Sequence, residues 1–192
     1  MTSQEVLKLY EQTGALLRGH FLLTSGLHSD TYLQSALVLQ HPTYAEMLGR
    51  ALAGHFADAH VQVVVGPALG GIIVAHEVAR ALRARALFTE REEGQMRLRR
   101  GFQVERGERC VVVEDVVTTG GSTREVIGVL EAAGGELVGV GALIDRSGGA
   151  AEFPVKAAAL VSLSVPNWKP EDCPLCASGL PAVKPGSRKL PA

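Results

Sequence analysis

The sequence predicts an α/β fold in which a mostly parallel, twisted sheet is flanked by helices. Three observations carry that expectation. Short β-branched runs, among them Val61 to Val65 and Cys110 to Val113, read as strands buried on both faces. Segments with apolar residues at helical spacing alternate with them, which is the pattern of a parallel sheet covered on each side. Glycine pairs, Gly70-Gly71 and Gly120-Gly121, stand where strands pass into helices.

In chain order, Val6, Leu7, Leu9, Tyr10 and Leu16 form the apolar face of a first amphipathic helix. Extended pieces follow from Gly19 to Gln34 around a Ser25-Gly26 turn. A second helix is predicted from Thr43 to Phe56, because Pro42 suits a first helical turn. Val61 to Val65 is a strand closed by Gly66-Pro67, and Gly70-Gly71 opens a helix that runs to Arg83. A brief strand, Ala86 to Thr89, leads into a polar stretch from Glu90 to Arg109. Cys110 to Val113 is the next strand, ending at Glu114-Asp115; a helix from Ser122 to Ala133 stops at Gly134-Gly135. Leu137 to Ile144 and Ala157 to Leu163 complete the strands. One domain is expected over residues 1–192, with a Pro-rich tail at 166–192 that wraps the surface or moves.

Composition excludes several classes. A hydrophobic fraction of 46% beside 20% charged residues is that of an ordinary globular chain. A net charge of -1 gives no basis for a nucleic-acid or membrane-surface partner. No run approaches the roughly 18–20 apolar residues that cross a bilayer, and the N-terminus lacks the basic-then-apolar order of a signal peptide. With three cysteines and no export feature, a cytoplasmic chain with reduced thiols is expected.

The chemistry concentrates in Val111 to Thr123, VVVEDVVTTGGST. Two acids at the end of a buried strand are costly to desolvate unless a ligand uses them, and strand ends of an open α/β sheet are where ligands sit. The loop Thr118-Thr119-Gly120-Gly121-Ser122 supplies backbone N–H groups, hydroxyls and a helix N-terminus, all suited to a phosphate. Carboxylates accept the O–H groups of a vicinal diol, so a ribose 5-phosphate fits both features. The segment is neither a Walker A loop nor a GxGxxG turn.

This segment resembles the phosphoribosyl pyrophosphate (PRPP) motif of the type I phosphoribosyltransferases. The resemblance implies that Glu114 and Asp115 hold the ribose hydroxyls and that Thr118, Thr119, Gly120, Gly121 and Ser122 hold the 5-phosphate. Gly66-Pro67-Ala68-Leu69-Gly70-Gly71 is similar to the pyrophosphate loop of that family and implies that Ala68, Leu69, Gly70 and Arg91 serve the pyrophosphate. Glu90 to Arg109 resembles its mobile loop, where Arg97, Arg99 and Arg100 would neutralise the leaving group. Mg²⁺ is implied as a cofactor carried by PRPP, with no direct protein ligand.

Phe21 to Tyr32 resembles the hood of the orotate phosphoribosyltransferases, in a divergent bacterial branch, and implies a small N-terminal hood within residues 1–40. Ser25, Tyr32, Thr118 and Arg146 would then meet orotate, since an Arg fork suits a carboxylate. A homodimer is implied as well. The sequence departs from that pattern twice: Thr24 stands where many members carry Lys, and the Arg-rich stretch has no Lys or His, which leaves a general acid without a candidate. A purine phosphoribosyltransferase and a non-catalytic nucleotide- or RNA-binding regulator are the alternatives.

Cys173-Pro174-Leu175-Cys176 is half of a zinc site, and the histidines show no ligand spacing along the chain. Histidines or a second chain could supply the remaining ligands, but a plain surface turn is the expectation there. Trp168 is read as an anchor for the tail and His76 as structural.

Overall fold

The computed structural model describes residues 1–23 and 25–185; Thr24 and residues 186–192 lie outside the described residues. Six strands form the main sheet: β3 (Val63–Pro67), β4 (Arg85–Glu92), β5 (Gln95–Leu98), β6 (Arg109–Val117), β7 (Glu136–Asp145) and β8 (Ala157–Ser162). Their order is β5-β4-β3-β6-β7-β8, parallel throughout except for β5, which pairs antiparallel with β4 at the edge. A second sheet, antiparallel, joins β1 (Leu16–Leu22), β2 (His28–Leu33) and the two-residue β9 (Asn167–Trp168). The tail thus supplies a strand to the hood.

Strand alternation divides the core in two. Val64 of β3 and Val111 and Val113 of β6 face one side, packed with residues of α1 (Ser3–Gln12), α2 (Ser35–Leu39), α3 (Pro42–Ala53) and α4 (Gly70–Leu82). Val63, Val65, Cys110 and Val112 face the other, against Val126, Ile127 and Leu130 of α5 (Gly121–Ala132). These strand residues are fully buried. Each such valine contributes roughly 1.5–3 kcal/mol of transfer free energy, and a carboxylate at Val64 or Val112 would break the sheet.

Local chemistry sets the element ends. Thr2 and Glu5 make a capping box on α1, with Glu5 Oε2 accepting from the Thr2 N–H at 2.7 Å. Ser3 then donates to the Leu160 carbonyl at 2.9 Å, which fastens α1 to β8. The short α2 is an addition to the sequence expectation: five residues are too few to show helical periodicity. The polar stretch after Thr89 also differs from a loop. It folds back as the β4–β5 hairpin, because Glu93 and Gly94, at φ 51° and 81°, supply the left-handed pair that a two-residue turn needs.

Candidate active site

Strand β6 runs two residues beyond Asp115, so the acids lie within the strand and alternation sends them to opposite faces. Glu114 shares the side of Val112 and lines a small cavity of about 70 Å³ with Thr118, Thr119, Gly120, Gly121 and Ser122. Asp115 shares the side of Val111 and Val113 and abuts Gly70 at the start of α4. One carboxyl therefore addresses each glycine-rich loop.

The Thr118–Ser122 loop has the form of an anion cradle. Gly120 sits at φ 76° immediately before α5, and no side chain caps that helix. The first-turn N–H groups are left for a ligand, together with the favourable end of the helix dipole. The Ala68–Gly70 loop repeats the arrangement: Leu69 precedes α4 without a side-chain cap, its own side chain is 84% exposed, and the Ala68–Leu69 peptide is cis. On the neighbouring strand the buried Thr89 hydroxyl has no hydrogen-bond partner among the described residues.

A larger cavity of about 490 Å³ adjoins the Thr118–Ser122 loop through Thr118 and Thr119. Arg146, Ser147, Ser164, Val165 and Asn167 line much of the rest. Arg146 follows β7, its backbone N–H donating to the Val117 carbonyl at 2.8 Å, while Nη2 reaches Asn167 Oδ1 at 3.4 Å. Its buried Nε has no partner among the described residues. Burial holds the Arg146 guanidinium below its ordinary pKa, opposed by the charge of Asp30. A buried donor without an acceptor costs free energy that an anionic ligand would recover. Burial, reinforced by Asp115, likewise pushes the Glu114 carboxyl up to about 8.

The sequence-derived site residues thus divide. Glu114, Asp115, Ala68, Leu69, Gly70, the Thr118–Ser122 loop and Arg146 converge at the ends of β3, β6 and β7. Arg91 is bound to Glu125 at 2.8 Å, Arg99 to Glu92 at 3.1 Å and Arg100 to both oxygens of Glu90 at 2.8 Å. Arg97 donates to Gln95 at 3.0 Å. None of these four lines either cavity. Ser25 is exposed at the β1–β2 turn, and Tyr32 stands against Phe21 with ring centroids 5.8 Å apart; neither lines the larger cavity. Asn167 was not among the site residues read from the sequence, where its segment carries Trp168 as an anchor for the tail. Its signal was a polar residue between Pro166 and a large aromatic.

The tail corrects a further expectation. Cys173 is 2% exposed, which a plain surface turn would not produce, and it lies beside His20 and His28.

Comparison with known proteins agrees with this geometry. The family model described as "Phosphoribosyl transferase domain" matches residues 35–177. The orotate phosphoribosyltransferase of Pelotomaculum thermopropionicum is 57% identical over 190 residues, covering 99% of this chain and 100% of that protein. Its counterpart in Desulforamulus reducens is 55% identical with the same coverage. The crystal structure of orotate phosphoribosyltransferase from Aeropyrum pernix matches with a TM-score of 0.67 at 29% identity, over 82% of this chain and 93% of that one. The Mycobacterium tuberculosis H37Rv enzyme in complex with inorganic phosphate matches at 0.68 and 26% identity, over 84% and 96%. With two anion loops, an acidic pair between them and full-length relatives of one kind, the chain belongs to the orotate phosphoribosyltransferases within the phosphoribosyl transferase domain family.

Proposed function

We propose that the chain transfers ribose 5-phosphate from PRPP to orotate, giving orotidine 5'-phosphate and pyrophosphate. The observation that carries this reading is the buried Nε of Arg146, without a hydrogen-bond partner among the described residues, in a cavity that shares Thr118 and Thr119 with the phosphate loop. A planar base bearing a carboxylate satisfies that donor, and its nitrogen is then next to a ribose held from the loop.

In this reading the Thr118–Ser122 loop binds the 5-phosphate, and Glu114 and Asp115 accept the ribose hydroxyls. In the Ala68–Gly70 loop the Ala68 N–H is engaged by the Thr89 carbonyl at 2.8 Å, so Leu69 and Gly70 receive the pyrophosphate through their backbone N–H groups while Ala68 fixes the loop to β4. The base displaces pyrophosphate at an anomeric carbon with oxocarbenium character, so the protein acts by positioning and by stabilising separated charge. Arg91, Arg97, Arg99 and Arg100 join only if the hairpin exchanges its ion pairs for the leaving group. Ser25 and Tyr32 reach the base only if the hood closes.

A divalent cation fits the donor set. Two adjacent carboxylates between two anion loops offer the hard oxygen acceptors that suit the waters of Mg²⁺. Asp115, which abuts Gly70 of the Ala68–Gly70 loop, would accept from those waters, and Mg²⁺ when bound neutralises charge on the pyrophosphate. The reading extends to a homodimer in the cytoplasm. Three free thiols support a reducing compartment, and exposed Leu37, Met47 and Ile73, on the adjoining helices α2, α3 and α4, support a covered face. No helix among the described residues is long and apolar enough to cross a membrane, and neither nucleic acid nor membrane is part of the reading.

The test is pyrophosphate release from PRPP with orotate, adenine, hypoxanthine or uracil, with and without Mg²⁺. Turnover with orotate alone, lost without Mg²⁺, is expected. Turnover only with a purine would overturn the base assignment, and PRPP binding without turnover would favour a regulatory role.

A further inference from the structure

Four side chains far apart in sequence meet where the tail crosses the hood: His20 of β1, His28 of β2, Cys173 and Cys176. Their ligand atoms all lie within 4.8 Å of one another. His20 Nε2 is 2.7 Å from His28 Nδ1, 3.5 Å from Cys173 Sγ and 3.8 Å from Cys176 Sγ, and Cys176 Sγ is 3.3 Å from His28 Nδ1. Zinc bonds of about 2.0 Å to nitrogen and 2.3 Å to sulfur give tetrahedral edges of roughly 3.3 Å between nitrogens and 3.5 Å between nitrogen and sulfur. The N···S distances bracket that edge. The N···N distance is shorter, so an entering ion would part the rings slightly.

A second, independent feature points to a ligand. The Leu180 carbonyl lies 2.6 Å from His20 Nδ1 and can only accept, so Nδ1 carries the hydrogen. In the neutral ring this leaves Nε2 as a bare lone pair aimed into the cluster, the orientation that a carbonyl imposes on metal-bound histidines. His20, His28 and Cys173 are 3%, 7% and 2% exposed, which shields the centre, while Cys176 is exposed and leaves an entry path. Cys173 is the N-cap of the short α6 (Pro174–Ala177) and Cys176 lies within its single turn, a spacing that lets both sulfurs reach one ion.

We infer that His20, His28, Cys173 and Cys176 form a structural Zn²⁺ site that staples the tail to the hood. Zinc is the ion because two imidazoles and two thiols make a closed tetrahedral set of borderline-soft donors. Each thiol releases one proton on binding. With four protein ligands no position stays open for substrate, so the ion works by holding chain to chain. It secures a path the backbone already marks: β9 pairs with β2, and Val183 exchanges hydrogen bonds with β1, its N–H donating to the His20 carbonyl at 2.8 Å and its carbonyl accepting from the Leu22 N–H at 2.9 Å. Asn167, which reaches Arg146, is carried on the same tail six positions before Cys173.

The experiment is metal analysis of the full chain purified without chelator, followed by Co²⁺ titration of chelator-stripped protein. About one zinc per chain is expected. Co²⁺ should give the intense d–d bands of four-coordinate Co²⁺ together with a thiolate charge-transfer band. Cys176→Ser, the mildest variant because that side chain is exposed, should lose zinc about tenfold or more and lower the Tm by several degrees. Cys110→Ala, whose thiol lies in the other core, should keep its zinc. Wild-type protein that stays metal-free with added Zn²⁺ while both tail thiols are reduced would overturn the inference. So would a weak, six-coordinate Co²⁺ spectrum, or a Cys173–Cys176 disulfide in freshly isolated protein. None of these readouts depends on turnover, so a failed base assignment would leave them intact.

Discussion

Gly70 stands so close to Asp115 that a Cβ on the glycine would lie 2.5 Å from the Asp115 Oδ1. The Ala68–Gly70 loop and the Asp115 carboxyl are therefore packed against each other, and one methyl group is enough to separate them. For Gly70→Ala we expect kcat/KM for PRPP to fall by about 10²-fold, as misplacement of a reacting group by an ångström does. The fold should survive, because the carboxyl end of Asp115 can swing aside. Steady-state kinetics with PRPP varied, beside a thermal melt, checks both statements; unchanged kinetics would separate Asp115 from the ribose.

Arg146 should show opposite effects on activity and stability. Arg146→Met removes the guanidinium whose buried Nε has no partner among the described residues, so its Tm should equal or exceed that of the parent chain. The same change should lower kcat/KM for orotate by about 10²-fold or more. Arg146→Lys should recover little, since an ammonium cannot supply the planar fork. A marked loss of stability in Arg146→Met would mean that the side chain serves the fold instead.

Glu114 predicts a pH dependence of stability. Its carboxyl is pushed up to about 8 by burial and by Asp115, whereas an ordinary glutamate titrates at 4.5. Between those values the folded chain keeps a proton that the unfolded chain has released. The contribution of this group to stability is therefore fully present below the unfolded pKa and is lost as pH rises through about 8. Glu114→Gln cannot ionise, so its urea midpoint should gain on the parent between about pH 5 and pH 8. Parallel midpoint-against-pH curves for the two chains would refute this.

The hairpin arginines are exposed and ion-paired, so removing them should leave the melting temperature nearly unchanged. If Arg97, Arg99 and Arg100 neutralise pyrophosphate during turnover, the triple alanine variant should lose about tenfold or more in kcat. Single-turnover rates with saturating PRPP distinguish that from weaker binding. An unaltered rate would assign the hairpin to the solvated surface.

Much of this molecule is set within short windows of sequence. The β-branched runs made the buried strands, and alternation within Cys110 to Asp115 was enough to send one acid toward each glycine loop. Gly120 and the uncapped start of α5 are likewise local, since φ and hydrogen-bond vacancies depend on adjacent residues. Tertiary structure alone decided the rest. His20 and Cys173 are 153 positions apart, and they meet only because β9 adds to β2 and the tail returns along β1. Asn167 reaches Arg146 by the same pairing. The ion pairs of Arg91 and Arg100 arise across a hairpin and between a strand and α5, so composition could show the charges but not their partners. Local backbone preference and periodicity are written in consecutive residues, whereas a site assembled from several chain segments exists only once packing has brought those segments together.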